Sequence, residues 1–393
     1  MKLTLKKRTA LLLAAVLAVS ALLGGCGMQR NDSSLGGLGN GWTPEHSMQL
    51  QFAEQFSVDY YEGGYKLISL ADGSKFLTVP EGSDIPQGIS QEIVPLYQPL
   101  ENIYVAATSS MCLFDAIDRI DAVKLSGTKE DGWYIENARE AMRNGKMLYA
   151  GKYSEPDYEL MLDNKCSLAI ESLMIGHASD VKDKLEELGI PVFVDQTSME
   201  THPLGRTEWI KLYAALLNEE EKADAAFEQQ VGYMNAAAAA SEAAADENGQ
   251  KKTAAFFHIS SSGYVVARKS GDYITKMIEL AGGKYVFDDL GDSETRTSTV
   301  TIEMEKFFAT AKDADYIIYN STIGGEVRTI DELLAKNKLL AEFKAVKNGN
   351  VWCTGKNMYQ ETTQIGQMIQ SFSRIFSGEA DGEDELPYLY RLK

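Results

Sequence analysis

The sequence predicts an α/β protein of two lobes that a single helix connects, and three observations support this prediction. Short apolar runs alternate with helical patterns at roughly 20 to 25 residues per unit, which is typical of parallel sheets covered by helices. A second series of the same kind begins after Lys252. The segment between the two series, residues 203–245, is a long helical pattern with one proline near its start.

The first 25 residues have the features of a signal peptide. Residues 2–8 carry the basic side chains, and residues 9–23 form an apolar run of about 15 residues, short for the ~20 of a membrane-spanning helix. The sequence LGGC at 23–26 resembles a bacterial lipobox, in which the cysteine, here Cys26, is acylated. An ordinary secretory signal with a chance cysteine is the alternative. We therefore predict a chain that a lipid anchors to the cell membrane on its extracytoplasmic side.

The part of the chain after this segment is strongly acidic. The net charge of all 393 residues is −19, and without the four basic residues before Cys26 there remain 34 lysines and arginines against 57 acidic residues, a net charge of −23. Such a chain repels phosphate backbones, so the composition excludes nucleic acid as a partner. At 44% apolar residues the chain is still able to bury cores, and its length suits two or three domains of ~150 residues.

The elements follow in order along the chain. Residues 26–49 are rich in Gly, Ser and Asn and are predicted to form a flexible tether. Residues 65–79 are predicted to form a hairpin around the turn dipeptide Asp72-Gly73. In the first lobe we predict strands at 103–106, 122–125, 147–149, 168–170 and 192–194, and helices at 111–120, 133–143, 156–162 and 178–188. In the second lobe we predict strands at 253–259, 284–287, 315–319 and 350–353, and helices at 273–280, 305–311, 330–343 and 362–376.

The connecting helix is predicted at 203–217. Trp209, Leu212, Tyr213 and Leu216 recur at helical spacing and form an apolar stripe, and Pro203 suits the first turn of a helix. A helix in this place holds two lobes more stiffly than extended hinge strands would.

Several stretches of the chain resemble one family. Residues 149–217 contain a Pro-x-x-Glu sequence that opens a helix, then a short strand, and then the sequence LGIPV ahead of the connecting helix. This stretch, with residues 271–287 and 312–320, is similar to the substrate-binding lipoproteins of ABC importers for ferric siderophores, cobalamin or haem. The resemblance extends from about residue 55 to the end of the chain. It implies two Rossmann-like lobes with parallel-type central sheets, a rigid connecting helix and a ligand cleft between the lobes.

The resemblance also implies one permease-docking glutamate on the surface of each lobe. By position in the family pattern these are Glu159 and Glu305. Glu159 precedes the strand residue Ile170 by 11 positions, and Glu305 precedes Ile318 by 13, so both begin the helix that leads into a comparable strand. Glu303, at a spacing of 15, is the competing assignment in the second lobe. Alternatively, a glutamate in the first turn of a helix simply complements the helix dipole.

Ligands of open α/β lobes bind beyond the carboxyl ends of the strands, so side chains just after predicted strands are candidates for the ligand site. Aromatic faces and cations suit a large aromatic or macrocyclic ligand that carries carboxylates. The candidate residues are Ser110, Met111, Trp133, Tyr153, Ser172 and Met174 in the first lobe and Tyr264, Arg268, Asn320, Lys356 and Tyr359 in the second. Each of them is equally suited to packing. If the ligand is haem, the candidate iron ligands are Met111, Met174, His177, Tyr153 and Met358.

No catalytic residue, protein-held metal site or resident cofactor is predicted. The chain has four histidines, too few for the usual histidine-rich zinc or manganese site, and it contains neither GxSxG nor HExxH. Cys112, Cys166 and Cys353 form no CxxC pair and are predicted to be small buried side chains. A receptor for a bare metal ion, sugar, peptide or other small solute is an alternative, and a secreted lipoprotein enzyme is an alternative of a different class.

The sequence and the resemblance together predict a lipid-anchored, extracytoplasmic receptor for an iron complex (a siderophore or haem) or a corrinoid. Its partner is an ABC permease dimer with its ATPase, and the receptor is monomeric away from the permease. The predicted organisation is a signal peptide at 1–25, the acylated Cys26 and tether at 26–49, a first lobe at 50–202, the connecting helix at 203–217 and a second lobe at 218–393. Because that helix is stiff, we expect only a small closure of the lobes.

Overall fold

The structure is a computed structural model that describes Leu38 and residues 41–244, 250–287, 289–291 and 298–393, without the side chains of 242–244. The chain divides into two units, Met1–Gly37 and Leu38–Lys393. The predicted signal peptide, Cys26 and the first part of the predicted tether, up to residue 37, lie outside the described residues. Among the described residues, no helix combines the length and the apolar composition needed to cross a membrane.

A five-stranded sheet is formed by residues 46–97. Its strands, in the order in which they pair, are β1 (His46–Ser47), β2 (Phe56–Tyr61), β3 (Tyr65–Leu70), β4 (Lys75–Val79) and β5 (Ile93–Tyr97). The first four pair antiparallel, and β5 runs parallel to β4. The β3–β4 hairpin is the predicted one: Asp72 Oδ1 accepts a hydrogen bond from Ser74 N–H at 2.9 Å, and Gly73 has a φ of +93°. The other three strands are not among the sequence predictions.

The structure corrects the carboxyl-terminal part of the predicted tether. Leu38 is 1% exposed and packs with Tyr61 and Leu67 on one face of this sheet. Trp42 lies edge-on to Tyr65, with 5.5 Å between the ring centroids, and β1 follows within the predicted tether. Burial of an isolated apolar side chain against a sheet is favourable in free energy even when its neighbours in sequence are polar. Such a segment shows no apolar period, so the sequence pattern does not reveal it.

The central sheet of the first lobe is parallel throughout. Residues 103–195 contain β6 (Ile103–Val105), β7 (Val123–Ser126), β8 (Leu148–Tyr149), β9 (Gly151–Lys152), β10 (Glu155–Pro156), β11 (Ala169–Ser172) and β12 (Val192–Asp195). Five of these form the sheet, in the order β12-β11-β6-β7-β8, and β9 and β10 form a separate antiparallel hairpin. The helices are α1 (Met111–Ala116), α2 (Glu136–Arg143), α3 (Tyr158–Asp163) and α4 (Ser179–Glu187). Each strand predicted here overlaps a strand of the sheet.

The helix between the two series of strands is α5 (Pro203–Leu217), and α6 (Glu220–Ala244) follows it. His202 Nδ1 accepts from the Leu204 N–H at 3.2 Å at its start, and Asn218, with φ +59°, ends it. The helix is buried all round, not along one stripe as predicted: Arg206 alone of its residues is not buried. Elements of both lobes therefore enclose α5.

The second lobe has a mixed sheet. Its strands are β13 (Thr253–Ile259), β14 (Val265–Arg268), β15 (Lys284–Tyr285), β16 (Thr299–Ile302), β17 (Tyr316–Tyr319), β18 (Val351–Thr354), β19 (Glu385–Leu386) and β20 (Leu389–Arg391). In the described part of the lobe they pair in the order β16-β14-β13-β17-β18-β20-β19, with β15 also on β13. The pairs among β13, β15, β17 and β18 are parallel, and the flanking pairs are antiparallel.

The described helices of the second lobe are α7 (Tyr273–Leu280), α8 (Met304–Ala311), α9 (Ser321–Gly324), α10 (Ile330–Lys336), α11 (Lys344–Lys347) and α12 (Ile365–Ser377). The single helix predicted at 330–343 is wrong. It is broken at Asn337, whose backbone is extended and whose Oδ1 accepts from Leu339 N–H at 2.9 Å, so that a short 3₁₀ helix follows. Described 3₁₀ helices cover Glu62–Gly64, Ile120–Ala122, Glu130–Gly132, Leu173–His177, Thr197–Met199, Lys338–Glu342, Met358–Gln360 and Thr362–Gln364.

Candidate functional site

Loops at the carboxyl ends of strands in the two lobes meet in one region. In the first lobe the loop after β7 reaches Tyr134, and in the second lobe the loop after β18 runs through Lys356 to Gln360. The side-chain amide of Gln360 accepts a hydrogen bond from Tyr134 N–H and donates one to the Gly132 carbonyl, each at 2.8 Å. The two lobes are thus in direct contact here.

A cavity of about 490 Å³ lies beside this contact. The first lobe contributes Tyr134 to its wall, and the second lobe contributes Glu326, Arg328, Gly355, Lys356, Asn357, Glu385, Leu386, Tyr388, Leu389 and Tyr390. The volume falls in the range of small-molecule sites, and the position is where open α/β lobes bind ligands. We take this cavity as the candidate ligand site.

Two cations of the cavity share one carboxylate. Glu326 contacts the guanidinium of Arg328, and its Oε2 atom lies 2.5 Å from Lys356 Nζ. Lys356 and then Arg328 hold the pKa of Glu326 below its usual value, and Glu326 in turn raises the pKa of Lys356. All three side chains reach solvent, so the pairing is weak and a ligand anion is able to compete for the cations.

Three tyrosines give the cavity aromatic surface and hydroxyl groups. Tyr134 is 44% exposed. Tyr390 lies 4.5 Å from the Arg328 guanidinium, measured to its ring centroid, and its hydroxyl donates to the Val327 carbonyl at 2.9 Å. Tyr388 has a φ of +67°, uncommon for a residue with a bulky side chain. The exposed ring of Tyr134 offers a stacking surface to a planar or aromatic ligand, whereas Tyr390 is buried and Tyr388 is half-buried.

Three of the predicted ligand-binding residues in the second lobe contact one another. The Tyr359 hydroxyl accepts hydrogen bonds from Arg268 and from Asn320 Nδ2, the latter at 3.0 Å. Arg268 also lies 3.6 Å from Asp272 and is 6% exposed. Burial would lower the pKa of Arg268, but Tyr359 and Asp272 outweigh it and raise that pKa. Asn320 is 1% exposed, and its Oδ1 atom has no partner among the described residues.

In the first lobe, Ser110, Met111 and Trp133 lie in the interior and present no surface to the cavity. Each is at most 1% exposed. Ser110 Oγ donates to Asp195 at 2.8 Å, and Trp133 Nε1 donates to Ser126 Oγ at 3.1 Å. Met111 is the first residue of α1 and packs in the core. These residues follow strands as predicted, but the chain turns back into the core there because the next element buries its apolar face.

The other predicted ligand-binding residues lie closer to solvent. Tyr153 is partly buried against the first-lobe core, and Ser172 Oγ accepts from Met174 N–H at 3.3 Å. Met174 is 48% and Tyr264 40% exposed. None of these four lines the cavity, whereas Lys356 does.

Most of the cavity residues are not among the sequence predictions. Tyr134 directly follows the predicted residue Trp133, but successive side chains in a loop do not alternate regularly between two faces. The sequence therefore does not show which of the two faces the cavity. Glu326 and Arg328 lie beyond α9, and Tyr388 and Tyr390 belong to the β19–β20 hairpin, whose strands are too short to show an apolar period. The clustered sequence Pro-Tyr-Leu-Tyr-Arg at 387–391 was the available signal, since grouped tyrosines and a cation mark many recognition surfaces.

Glu159 and Glu305 occupy equivalent positions in the two lobes. Each is exposed and is the second residue of a helix, α3 and α8, that leads into a strand paired on both sides, β11 and β17. Glu303 corresponds instead to the N-cap residue Asp157, which accepts a hydrogen bond from Leu160 N–H at 3.0 Å. The position in the helix therefore pairs Glu159 with Glu305 and not with Glu303.

In the ranges that the structure describes, no group of three or more His, Cys, Asp and Glu side chains is arranged to hold a metal ion.

Cys112, Cys166 and Cys353 are free and buried, as predicted. Burial raises the pKa of Cys112 and Cys353 to about 12 and that of Cys166 to about 11, so these thiols are protonated and unreactive at neutral pH.

Comparison with known proteins gives three kinds of similarity. A family model described as "Periplasmic binding protein" matches residues 105–358. The lipoprotein MJ0878 of Methanocaldococcus jannaschii is 26% identical over 357 residues, which cover 84% of this chain and 82% of that protein. The fold is similar to that of a periplasmic haem-binding protein from Pseudomonas aeruginosa (TM-score 0.56, 16% identity, 75% of this chain and 99% of that one). It is also similar to that of the petrobactin-binding protein YclQ from Bacillus subtilis (TM-score 0.54, 15% identity, 70% and 92%).

Proposed function

This chain belongs to the periplasmic binding protein family, and from that premise we propose that it is a lipid-anchored receptor that captures an iron complex or a corrinoid outside the cytoplasm and delivers it to an ABC permease. The matched residues span most of both lobes, and the M. jannaschii relative is a lipoprotein. The solved structures with a similar fold include a haem-binding and a petrobactin-binding protein. Ligand capture, not catalysis, is the activity that this family membership supports.

The observation that carries the proposal is the cavity at the junction of the two lobes. It lies beyond the carboxyl ends of strands, and both lobes contribute to its wall. Arg328 and Lys356 supply cations for ligand carboxylates or other anionic oxygens, and Tyr134, Tyr388 and Tyr390 supply rings and hydroxyl groups. Such a lining suits a complex that brings its own metal ligands and exposes aromatic and anionic groups.

Delivery to a permease is supported by the matched glutamates of the two lobes. Glu159 and Glu305 are exposed, and each is the second residue of its helix. Two acidic side chains at equivalent positions suit a partner that is itself a dimer and presents a cation at each of two equivalent places. Exposed ion pairs of this kind steer encounter and fix register more than they add affinity.

The test is a titration of the purified protein with a panel of complexes, followed by tryptophan fluorescence. The panel contains haemin, cobalamin, a ferric tris-catecholate, a ferric trihydroxamate and Zn²⁺. Trp133 is the neighbour in sequence of the cavity residue Tyr134, so the variant Trp133→Phe identifies how much of the signal arises there. We expect saturable quenching by one iron complex or by cobalamin at submicromolar concentration.

Other outcomes assign the protein differently. A response to Zn²⁺ alone would identify a receptor for a bare metal ion and contradict the proposed ligand class. No response to any member of the panel would contradict it as well and would direct attention to sugars and peptides as ligands.

A further inference from the structure

We propose that Gln360 is a positioning residue: it latches the second lobe to the first, holds Tyr134 at the cavity, and so couples occupation of the cavity to the relative orientation of the lobes. The coupling to a ligand rests on the proposed function, because it takes the cavity as the ligand site. The latch itself rests on the contacts of Gln360 alone.

The latch consists of one side-chain amide that is satisfied on both edges by backbone of the other lobe. Gln360 Oε1 accepts from Tyr134 N–H, and Gln360 Nε2 donates to the Gly132 carbonyl, each at 2.8 Å. Two parallel hydrogen bonds fix the direction as well as the distance of the loop that they hold. Tyr134, the first-lobe residue in the cavity wall, lies in that loop.

The segment that carries Gln360 also contacts the cavity and the connecting helix. Gln360 N–H donates to the carbonyl of Asn357 at 2.9 Å, and Asn357 and Lys356 line the cavity. At the other end of the segment, the Thr362 carbonyl accepts from the hydroxyl of Thr207, on α5, at 2.8 Å. A ligand that displaces Lys356 or Asn357 therefore moves Gln360, because these residues belong to one short hydrogen-bonded turn.

The neighbouring residue Tyr359 fixes the inner side of this turn. Its hydroxyl accepts from Arg268 and from Asn320, and both of these side chains are buried in the second lobe. The turn consequently moves with the second lobe and not independently of it. The Tyr134 loop is held in the same way on its own side, since the side chain of Trp133 is buried in the first lobe.

Other hydrogen bonds between the lobes lie elsewhere. Arg119 Nη1 contacts Glu219 at 3.5 Å, and Lys222 Nζ donates to the Ile117 carbonyl at 3.2 Å, both just beyond the carboxyl end of α5. Gln51 Nε2 donates to Glu228 on α6 at 2.9 Å. A small rotation of one lobe about the carboxyl end of α5 displaces Gln360 from the Tyr134 loop more than it displaces the two contacts near that end, so the latch is more sensitive to such a rotation than they are.

The first experiment measures amide hydrogen exchange of the ligand-free, acylated protein in detergent, at Tyr134. Replacement Gln360→Ala removes the acceptor of the Tyr134 N–H, and we expect exchange there to become at least tenfold faster. Gln360→Glu keeps an acceptor oxygen and should restore most of the protection. The matched control is Gln364→Ala: Gln364 accepts from Gln230 at 3.2 Å inside the second lobe, so its loss should leave Tyr134 unchanged. Unchanged exchange in Gln360→Ala would overturn the latch.

The second experiment adds haemin or a ferric tris-catecholate as the probe. A probe that binds should alter Tyr134 exchange in the wild type, and Gln360→Ala should change the affinity for that probe by about tenfold while Gln364→Ala does not. Binding with equal affinity and an equal Tyr134 response in wild type and Gln360→Ala would overturn the coupling. Failure of both probes to bind would count against the proposed ligand class, and the exchange measurement without ligand would still decide the latch.

Discussion

The carboxylate of Glu208, in the middle of α5, accepts a hydrogen bond from the backbone N–H of Ala53 at 2.9 Å. It also accepts from the N–H groups of Gln51 and Phe52, at 2.8 and 2.7 Å, and Lys211 Nζ lies 3.2 Å away. Glu208 is 0% exposed. One buried charge thus satisfies three successive backbone donors and ties the connecting helix to the segment that leads into β2.

Removal of this carboxylate should destabilise the protein strongly. In Glu208→Ala the three N–H groups and the Lys211 ammonium lose their buried partner, so we expect the free energy of unfolding to fall by about 3 to 5 kcal/mol. Urea unfolding followed by circular dichroism measures it. Glu228→Ala is the control. Glu228 is exposed on α6, and among the described residues its carboxylate accepts a hydrogen bond only from the side chain of Gln51. Equal midpoints for the two variants would contradict the structural role of Glu208.

The segment around Glu208 shows which features of the fold local sequence patterns predict and which they do not. The apolar spacing around Trp209 predicts α5, and the Asp72-Gly73 dipeptide predicts the β3–β4 hairpin, because both signals are local. That Glu208 would be buried is not local information: a glutamate in a helix normally faces solvent, and its partners are some 155 positions away in the chain. The packing of Leu38 and Trp42 on the amino-terminal sheet is hidden for the same reason.

The candidate site was predictable in outline and not in detail. The rule that ligands bind beyond the carboxyl ends of strands selects the loops after β7 and β18, which do meet. It does not say which side chain of a loop faces the ligand: the predicted residue Trp133 is buried in the first lobe, and its neighbour Tyr134 lines the cavity. Arg328 and Tyr388 come from elements that reach the cavity only through tertiary packing.

A second buried carboxyl group should make stability depend on pH. Glu171, on β11, is 0% exposed, and neither of its carboxyl oxygens has a hydrogen-bond partner among the described residues. Burial raises its pKa to about 8 from an ordinary 4.5. The folded chain therefore keeps this group protonated at pH values where the unfolded chain has ionised it, and stability falls as the pH rises from about 5 to 8.

The measurement compares wild type with Glu171→Gln. Between about pH 5 and 8, the free energy of unfolding of the wild type should fall relative to that of the variant by about 1.4 kcal/mol for each pH unit. Above about pH 8 the difference between the two proteins should stay constant. Glu140→Gln, the same change on the exposed surface of α2, is the control and should follow the wild type. Parallel profiles for wild type and Glu171→Gln would show that Glu171 is solvated or paired in solution.

Removal of a cation from the cavity and neutralisation of its carboxylate Glu326 should change ligand affinity in opposite directions. For a ferric tris-catecholate, which is anionic, Arg328→Ala and Lys356→Ala should each weaken binding roughly tenfold or more, because each removes a charge-assisted hydrogen bond. Glu326→Gln should strengthen binding, since Glu326 competes with the ligand for both cations. Fluorescence titration measures all three.

Lys347→Ala is the matched control for the cavity variants. Lys347 is an exposed lysine that pairs with Glu342 at 2.7 Å and does not line the cavity, so its loss should leave affinity unchanged. Weaker binding in Glu326→Gln would show that the carboxylate contacts the ligand directly and would refute its role as a displaceable counter-ion.

Loss of both matched glutamates should stop delivery without affecting capture. Glu159 and Glu305 lie at the second position of α3 and α8 and are exposed, so their removal disturbs neither core nor cavity. The double variant Glu159→Ala with Glu305→Ala should abolish receptor-dependent uptake in cells that carry the cognate permease, and each single variant should reduce it. Affinity of the purified double variant for the ligand should equal that of the wild type. Glu303→Ala, two positions from Glu305 at the N-cap of the same helix, should transport normally. Normal uptake by the double variant would exclude both glutamates from docking, and a defect in Glu303→Ala alone would move the second-lobe contact to that residue.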